Sequence, residues 1–437
     1  NTQRVAYGTN TILGEHDLGT FAADVNAFKL HPAFTDFTAL YPLYLSQSPA
    51  QYVPFSYDAV RVRGPLPARL FTWTHVKDSI TNNPRAIRFD CRFIDPNGRE
   101  CLEIDNLVLH LMEGSARSEL AAPATANFTL GIPTPGVLDS FAAMPAERRA
   151  PGAGEVESQV AAAGLNFRDV LRALGMLSSE HDAGAAVVGF GAECSGKVVR
   201  SGEGVTDLAV GDDVLAFSTK SFSGFVTTSA KAVARIPLGM GFVEAASIPM
   251  VFLTAYHALN GLARLKKGER VLIHAAAGGV GLAAVQIARM KGAEVIASVG
   301  TPEKREYLQS LGVQHITTSR SLSFVDDVRA LTNGEGVDVV LNALAGDFIG
   351  AGLSVLRSGG RFVEIGARDI YQNTGIGLRP FANNLTFSAF DLGQVASADP
   401  DYLRQMLSDI LDAFERGRLQ VLPIETYPIE QASAAFG

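Results

Sequence analysis

The chain has 437 residues, 47% of them hydrophobic and 19% charged, which suits a globular protein of about three domains at roughly 150 residues each. A net charge of −8 with no run of Lys or Arg argues against a nucleic-acid partner, and the lack of a long apolar run or signal peptide argues against a membrane span. Three widely spaced cysteines, Cys91, Cys101 and Cys194, form no metal-ligand pair, so no metal is expected, and their scarcity fits a reducing cytoplasm.

Residues 1–113 are rich in strand signals: "ARLFTWTHV", "AIRFDCRFID" and "CLEIDNLVLHLME", with a hairpin turn over Asp95 to Glu100 centred on Asn97-Gly98. One helical stretch, "HPAFTDFTALYPLYL", interrupts them, which predicts a curved antiparallel sheet around an apolar helix. Residues 114–126, "GSARSELAAPATA", read as a linker, and strand-like segments resume from 127 to about 236. From 237 the pattern alternates. A long helix over "VEAASIPMVFLTAYHALNGLARL" is followed by "RVLIHA" (strand), "GLAAVQIARMKG" (helix), "EVIASV" (strand), "PEKREYLQSLG" (helix), "VDVVLNAL" (strand) and "GRFVEIG" (strand). That is the pattern of an α/β doubly wound, Rossmann-type parallel sheet over 237–376. The tail, 377–437, is expected to hold one amphipathic helix and then short strands, and to join 127–236 as a β-rich part. The chain begins at Asn1 in material that reads as folded and stops inside an apolar pattern, so it reads as a piece of something larger.

Within "VLIHAAAGGVGLAAVQIA" (271–288) a buried strand runs into a turn in which Gly278, Gly279 and Gly281 carry no Cβ, and a helix opens there. Free N–H groups and the positive end of the helix dipole make that turn, Val280 included, a pyrophosphate site. Ala276 stands where the first glycine of G-x-G-x-x-G would be. An NAD enzyme carries an acidic residue at the end of the second strand; here Ser298 is followed by Lys304 and Arg305. Cations in place of a carboxylate point to a 2′-phosphate and so to NADPH. The competing reading makes both of them solvated residues of a first helical turn.

With "AAGLNFRDVLRALGM" (162–176) and "IHAAAGGVGLAAVQIAR", together with "GAECSG", "TAYHAL", "LNALAG" and "GLRPFANNLTFSAFDL", residues 125–437 resemble the enoyl reductase domains of polyketide and fatty acid synthases, members of the medium-chain dehydrogenase/reductase superfamily. The resemblance implies a GroES-like substrate part, and reduction by NADPH of a trans-2-enoyl thioester held on the phosphopantetheine of an acyl carrier protein. Neighbouring synthase domains and a homodimer are implied as partners. Asn166, with Arg168 and Asp169, would face the nicotinamide, though Arg168 and Asp169 read equally as an ion pair. Thr254 and Tyr256 would line the nicotinamide end, with a core role for Tyr256 as the alternative, and Asn342 would add a cofactor contact. The family carries a Lys after the glycine that ends "FVEIG", near the reacting enoyl, with an acidic partner in "FDL". Here Ala367 follows Gly366, while Asp391 remains. A stand-alone quinone or alkenal reductase, or a non-catalytic scaffold fragment, are the readings from other classes.

Residues 1–113 resemble the C-terminal half of a synthase dehydratase, a hotdog fold. "LHPAFTDFTAL" makes Asp36 the match to its catalytic acid, Leu40 replaces the usual Gln or His, and "YGTNT" departs from the family's "YGxxF". The half that carries the catalytic His is absent, and His31 reads as a helix-start residue. A hydro-lyase needs an acid and a base together, so this fragment alone is not expected to dehydrate.

Overall fold

Alternating inward apolar residues and turn glycines shape the first unit of the chain. The computed structural model describes residues 2–7, 11–17, 51–77, 86–112, 127–175 and 187–437. Two compact units form, one from Asn1–Glu119 with Thr134–Phe141 and one from Leu120–Pro133 with Ala142–Gly437.

In the first unit, strands β1 (Thr2–Tyr7), β2 (Thr11–Asp17), β3 (Gln51–Ser56), β4 (Ala59–Val62), β5 (Arg69–Val76), β6 (Ala86–Ile94) and β7 (Glu100–Met112) build one antiparallel sheet. Its order is β1-β2-β5-β6-β7-β3, with β4 also on β7. Leu70, Thr72, Thr74 and Val76 of β5 are buried on one face, as are Phe89, Cys91 and Phe93 of β6, the period of two that a half-buried strand requires. The expected hairpin turn is present. Gly98 takes φ +82°, and Asp95 Oδ1 accepts from the N–H groups of Asn97 and Arg99 at 2.8 Å each. Asp36, His31, Leu40 and the helical stretch around them lie outside the described residues, as does most of the expected linker.

The second unit holds three sheets. Strands β8 (Asn127–Ile132), β9 (Ala142–Ala146) and β11 (Val187–Val188) make a small one. Strands β10 (Glu155–Ala163), β12 (Glu193–Ser201), β13 (Asp213–Phe217), β14 (Phe225–Ser229) and β15 (Val233–Arg235) make an antiparallel sheet of order β14-β10-β12-β13-β15. Strands β16 (Arg270–Ile273), β17 (Glu294–Val299), β18 (His315–Thr318), β19 (Val337–Asn342), β20 (Leu356–Glu364) and β21 (Thr386–Ala389) make a parallel sheet of order β18-β17-β16-β19-β20-β21. The order runs outward from β16 in both directions, the doubly wound arrangement expected from the alternating pattern.

Three features differ from the expectation. The long helix from 243 is broken, because Pro249 has no N–H to continue it and starts a new one: Phe242–Ala246, then Pro249–Tyr256, then a π turn His257–Leu262. Strand β21 extends the parallel sheet, with Phe387 opposite Phe362, so the division expected at 377 falls before that sheet ends. No strand follows the tail helix Pro400–Glu415. The segment instead closes with a short helix Ala432–Phe436 whose Phe436 ring meets Phe190 and Phe222 edge-on at 5.7 and 6.1 Å. The tail helix buries Leu403, Met406, Leu407 and Ile410 in one core with Phe252, Leu253 and Ile273.

Candidate functional site

Beyond β16 the backbone stays tied to the neighbouring strands. His274 N–H donates to Leu341 O and Ala276 N–H to Ser298 O, both at 3.0 Å. Ala275 takes φ +50°, which reverses the chain into the helix Gly279–Met290. Gly278 is the N-cap of that helix and gives no side-chain cap, so the first N–H groups, those of Gly279, Val280 and Gly281, have no acceptor within the helix. A Cβ on Gly281 would stand 2.5 Å from Ala275 O and 2.6 Å from Ala276 Cα, so only glycine lets the helix sit this close to the turn. Gly278 and Gly279 are exposed. The turn is an open anion cradle of backbone donors.

At the end of β17 the expected residues part company. Ser298 is fully buried and its Oγ lies 2.7 Å from His274 Nδ1. It belongs to the interior of the sheet and does not face a ligand. Arg305 Nη1 donates to Ile316 O at 2.6 Å, which ties its helix to β18. Lys304 stays exposed on the first turn of the helix Pro302–Ser310. Arg320, which sequence reasoning missed, lies over Gly300: its Nε donates to Gly300 O at 3.3 Å, and a Cβ there would stand 2.6 Å from that nitrogen. The exposed cations at this strand end are Lys304 and Arg320.

A second cluster gathers around Asn166, the N-cap of the helix Phe167–Ala173. Its Nδ2 donates to Glu193 Oε1 at 2.9 Å and to Gly164 O at 3.4 Å, so what the side chain has left is its carbonyl oxygen, an acceptor and not a donor. Glu193 also accepts from Met250 N–H at 2.7 Å, and burial pushes its carboxyl up to about 7. Asp169 is buried and accepts from Asn166 N–H and Gly191 N–H, and Arg168 instead reaches Asp391 Oδ2 at 3.0 Å. Asp391 in turn caps the helix Leu392–Ala398 through Gln394 N–H.

Asn342 is fully buried. Its amide donates to Leu344 O and to Glu364 Oε2, both at 2.6 Å, and accepts from Leu344 N–H, so it shapes the turn after β19 from within and presents nothing outward. Glu364 accepts from Gly366 N–H at 2.6 Å, and burial pushes it, too, up to about 7. Ala367 caps the short helix Arg368–Tyr371. Because Glu364 lies opposite Ala389, Ala367 and Asp391 leave the parallel sheet at the same edge. Thr254 donates its hydroxyl to Met250 O within its own helix at 2.6 Å. Tyr256 donates to Asp409 Oδ2 at 2.6 Å, a tie to the tail helix in place of the nicotinamide contact. Large exposed apolar side chains stand on the same segments: Leu165 and Phe167 beside Asn166, and Ile370, Tyr371 and Leu378 beyond Ala367.

A Rossmann-type sheet with a glycine-turn cradle, joined to a GroES-like β part, defines a medium-chain dehydrogenase/reductase. Residues 279–411 match the family described as zinc-binding dehydrogenase, 152–254 the alcohol dehydrogenase GroES-like domain, and 3–119 the polyketide synthase dehydratase N-terminal domain. The chain is 41% identical over 321 residues to the phthioceranic/hydroxyphthioceranic acid synthase of Mycobacterium tuberculosis. That match takes in 73% of this chain and 15% of the synthase, so the chain spans a small part of the curated relatives it matches. The CurK enoyl reductase structure is 42% identical with a TM-score of 0.65, covering 71% of this chain and 94% of that one. A mycobacterial protein solved as an NADPH complex is 26% identical with a TM-score of 0.62, over 71% and 95%. The chain belongs to the enoyl reductases of polyketide synthases, with a dehydratase segment ahead of the reductase. That segment matches a family described as the N-terminal domain, whereas its sequence motifs point to the C-terminal half.

The first family's description names zinc, and the side chains here do not fit it. Among the described residues no three His, Cys, Asp or Glu come together as ligands. Cys194 is buried, and burial pushes its thiol up to about 12.

Proposed function

We propose that residues 127–437 reduce the C2=C3 double bond of an enoyl thioester presented by an acyl carrier protein, with NADPH as cofactor, inside a larger synthase. The observation that carries this reading is the glycine cradle at Gly278–Gly281 together with a β17 end that offers Lys304 and Arg320, where the nearby carboxylate, Glu303, is hydrogen-bonded to the Thr301 side chain. The cradle would hold the pyrophosphate and the two cations the 2′-phosphate. When bound, NADPH supplies the hydride. Phe167 and Leu165 would take the apolar acyl chain, and Arg168 is the cation that Asp391 holds in place near it. A guanidinium there can stabilise enolate charge but is a poor proton donor. The methyl group of Ala367 can do neither, so C2 protonation falls to water, and turnover is slow.

Ala367 also favours a second reading, a fragment that binds NADPH within the synthase but has lost its chemistry. The test is NADPH oxidation with a crotonyl thioester and, separately, with a quinone. Oxidation with the thioester alone supports the proposal, oxidation with the quinone alone overturns it, and NADPH binding without oxidation supports the scaffold.

A further inference from the structure

A cavity of about 330 Å³ opens at the opposite end of the helix Gly279–Met290 from the glycine turn. Its apolar wall is Leu265, Ile287 and Met290, and its charged lining is Lys267, Lys291 and Arg418. Among the described residues no carboxylate lines it. The helix has 12 residues, so the cavity lies about 18 Å from the cradle, at the end where β16 begins.

The donors in this cavity are arranged. Lys291 is half-buried and its Nζ donates to Asn260 Oδ1 at 2.5 Å. Asn260 belongs to the π turn His257–Leu262, a helix irregularity common at functional sites. With its oxygen turned to Lys291, its amide N–H groups have no protein acceptor among the described residues. The stem of Lys267 lies against Gly292, where a Cβ would stand 3.0 Å from its Cγ. Lys267 and Arg418 are exposed and form no ion pair among the described residues. Tyr256 also lines the cavity, but its hydroxyl is committed to Asp409. The helix C-terminus contributes about half a negative charge, which one lysine offsets and which leaves the other cations unopposed.

We propose that this cavity binds a small multivalent oxyanion, a phosphate or polycarboxylate, through Lys267, Lys291, Arg418 and the Asn260 amide, separately from the cofactor. Several charged donors converging beside an apolar wall match the geometry of such a ligand. The test uses the whole chain with NADPH in excess and follows the thermal unfolding midpoint as inorganic phosphate, citrate or sodium chloride is added at equal ionic strength. A ligand that binds only the folded state raises the midpoint saturably. The expected result is a saturable rise with phosphate or citrate and none with chloride; which of the two acts at lower concentration tells phosphate from carboxylate recognition. The exposed-residue double variant Lys267→Ala/Arg418→Ala should raise the half-saturating concentration by at least about tenfold, as for loss of charged hydrogen bonds. Lys291→Met should do the same. Arg329→Ala, on the exposed face of the helix Phe324–Leu331 and away from both sites, should leave the anion response unchanged. No saturable rise, or an unchanged response in the double variant, overturns the proposal.

Discussion

Lys304 and Arg305 are adjacent in sequence and face different tasks. Arg305 ties its helix to Ile316 O through one nitrogen, while Lys304 stands exposed beside the Gly300 turn that Arg320 covers. Lys304→Ala should therefore weaken NADPH binding by about 1.5–3 kcal/mol, the worth of a charged hydrogen bond, and leave NADH binding almost unchanged. Arg320→Ala should do likewise, and Arg305→Ala should leave the NADPH-to-NADH ratio alone. Calorimetric titration of both cofactors checks all three; equal losses for NADPH and NADH with Lys304→Ala would make the lysine structural. Ala367→Lys should raise kcat by at least about tenfold by restoring a general acid, with NADPH affinity nearly unchanged. The new ammonium would contest Asp391 with Arg168, whose guanidinium stabilises enolate charge, so adding Arg168→Ala should give back part of the rise. Steady-state rates with a crotonyl thioester read both effects. An unchanged kcat would show that protonation never depended on this position.

At the scale of elements, two buried glutamates hold the strand ends that surround the cluster. Glu193 joins the end of β10 to the start of the helix Pro249–Tyr256 through Asn166 and Met250, and Glu364 joins the ends of β19 and β20 through Asn342 and Gly366. Burial raises each to about 7, above the ordinary 4.5. The folded state then binds more protons than the unfolded state between those values, so stability falls as pH rises from about 4.5 to about 7 and levels off above. Glu193→Gln and Glu364→Gln, which mimic the protonated acid, should each flatten that slope. Urea unfolding at pH 5.5 and pH 8 measures it, and a slope that survives in both variants would place its origin elsewhere. These ties also explain what sequence could and could not disclose. The glycine turn was legible because missing side chains between two apolar runs leave few other uses for the pattern. The partners of Ser298, Arg305 and Asn342 were not legible, because a strand's end does not say which of its neighbours will claim a polar group. Arg320 gave no signal, since only the chain reversal after β18 brings it to Gly300. The Arg168–Asp391 pair spans 223 positions, beyond any local pattern.

Within the reductase unit, the helix Pro400–Glu415 completes a core begun much earlier in the chain. Met406 and Leu407 are buried with Phe252 and Leu253, Phe414 meets Phe252 edge-on at 4.9 Å, and Lys231 pairs with Asp401 at 2.7 Å. Leu407→Ala should cost about 2–5 kcal/mol by opening a cavity there, with unfolding of β-rich and parallel sheets remaining a single transition. Two resolved transitions in denaturant would show that the helix does not couple them. The parallel strands, read from their alternation with helices, were the most legible part of this unit. The helix's double attachment was not legible, because amphipathic spacing shows that a face is apolar and not what it meets. That attachment bears on synthesis. A ribosome delivers the helix Pro249–Tyr256 well before the tail helix, so the part of its apolar side that meets Phe414 stays bare while β16 to β21 emerge and assemble. Closing the circuit then waits on the late arrival of residues 400–415, and a chain stalled before them would present that bare side to chaperones or to other stalled chains.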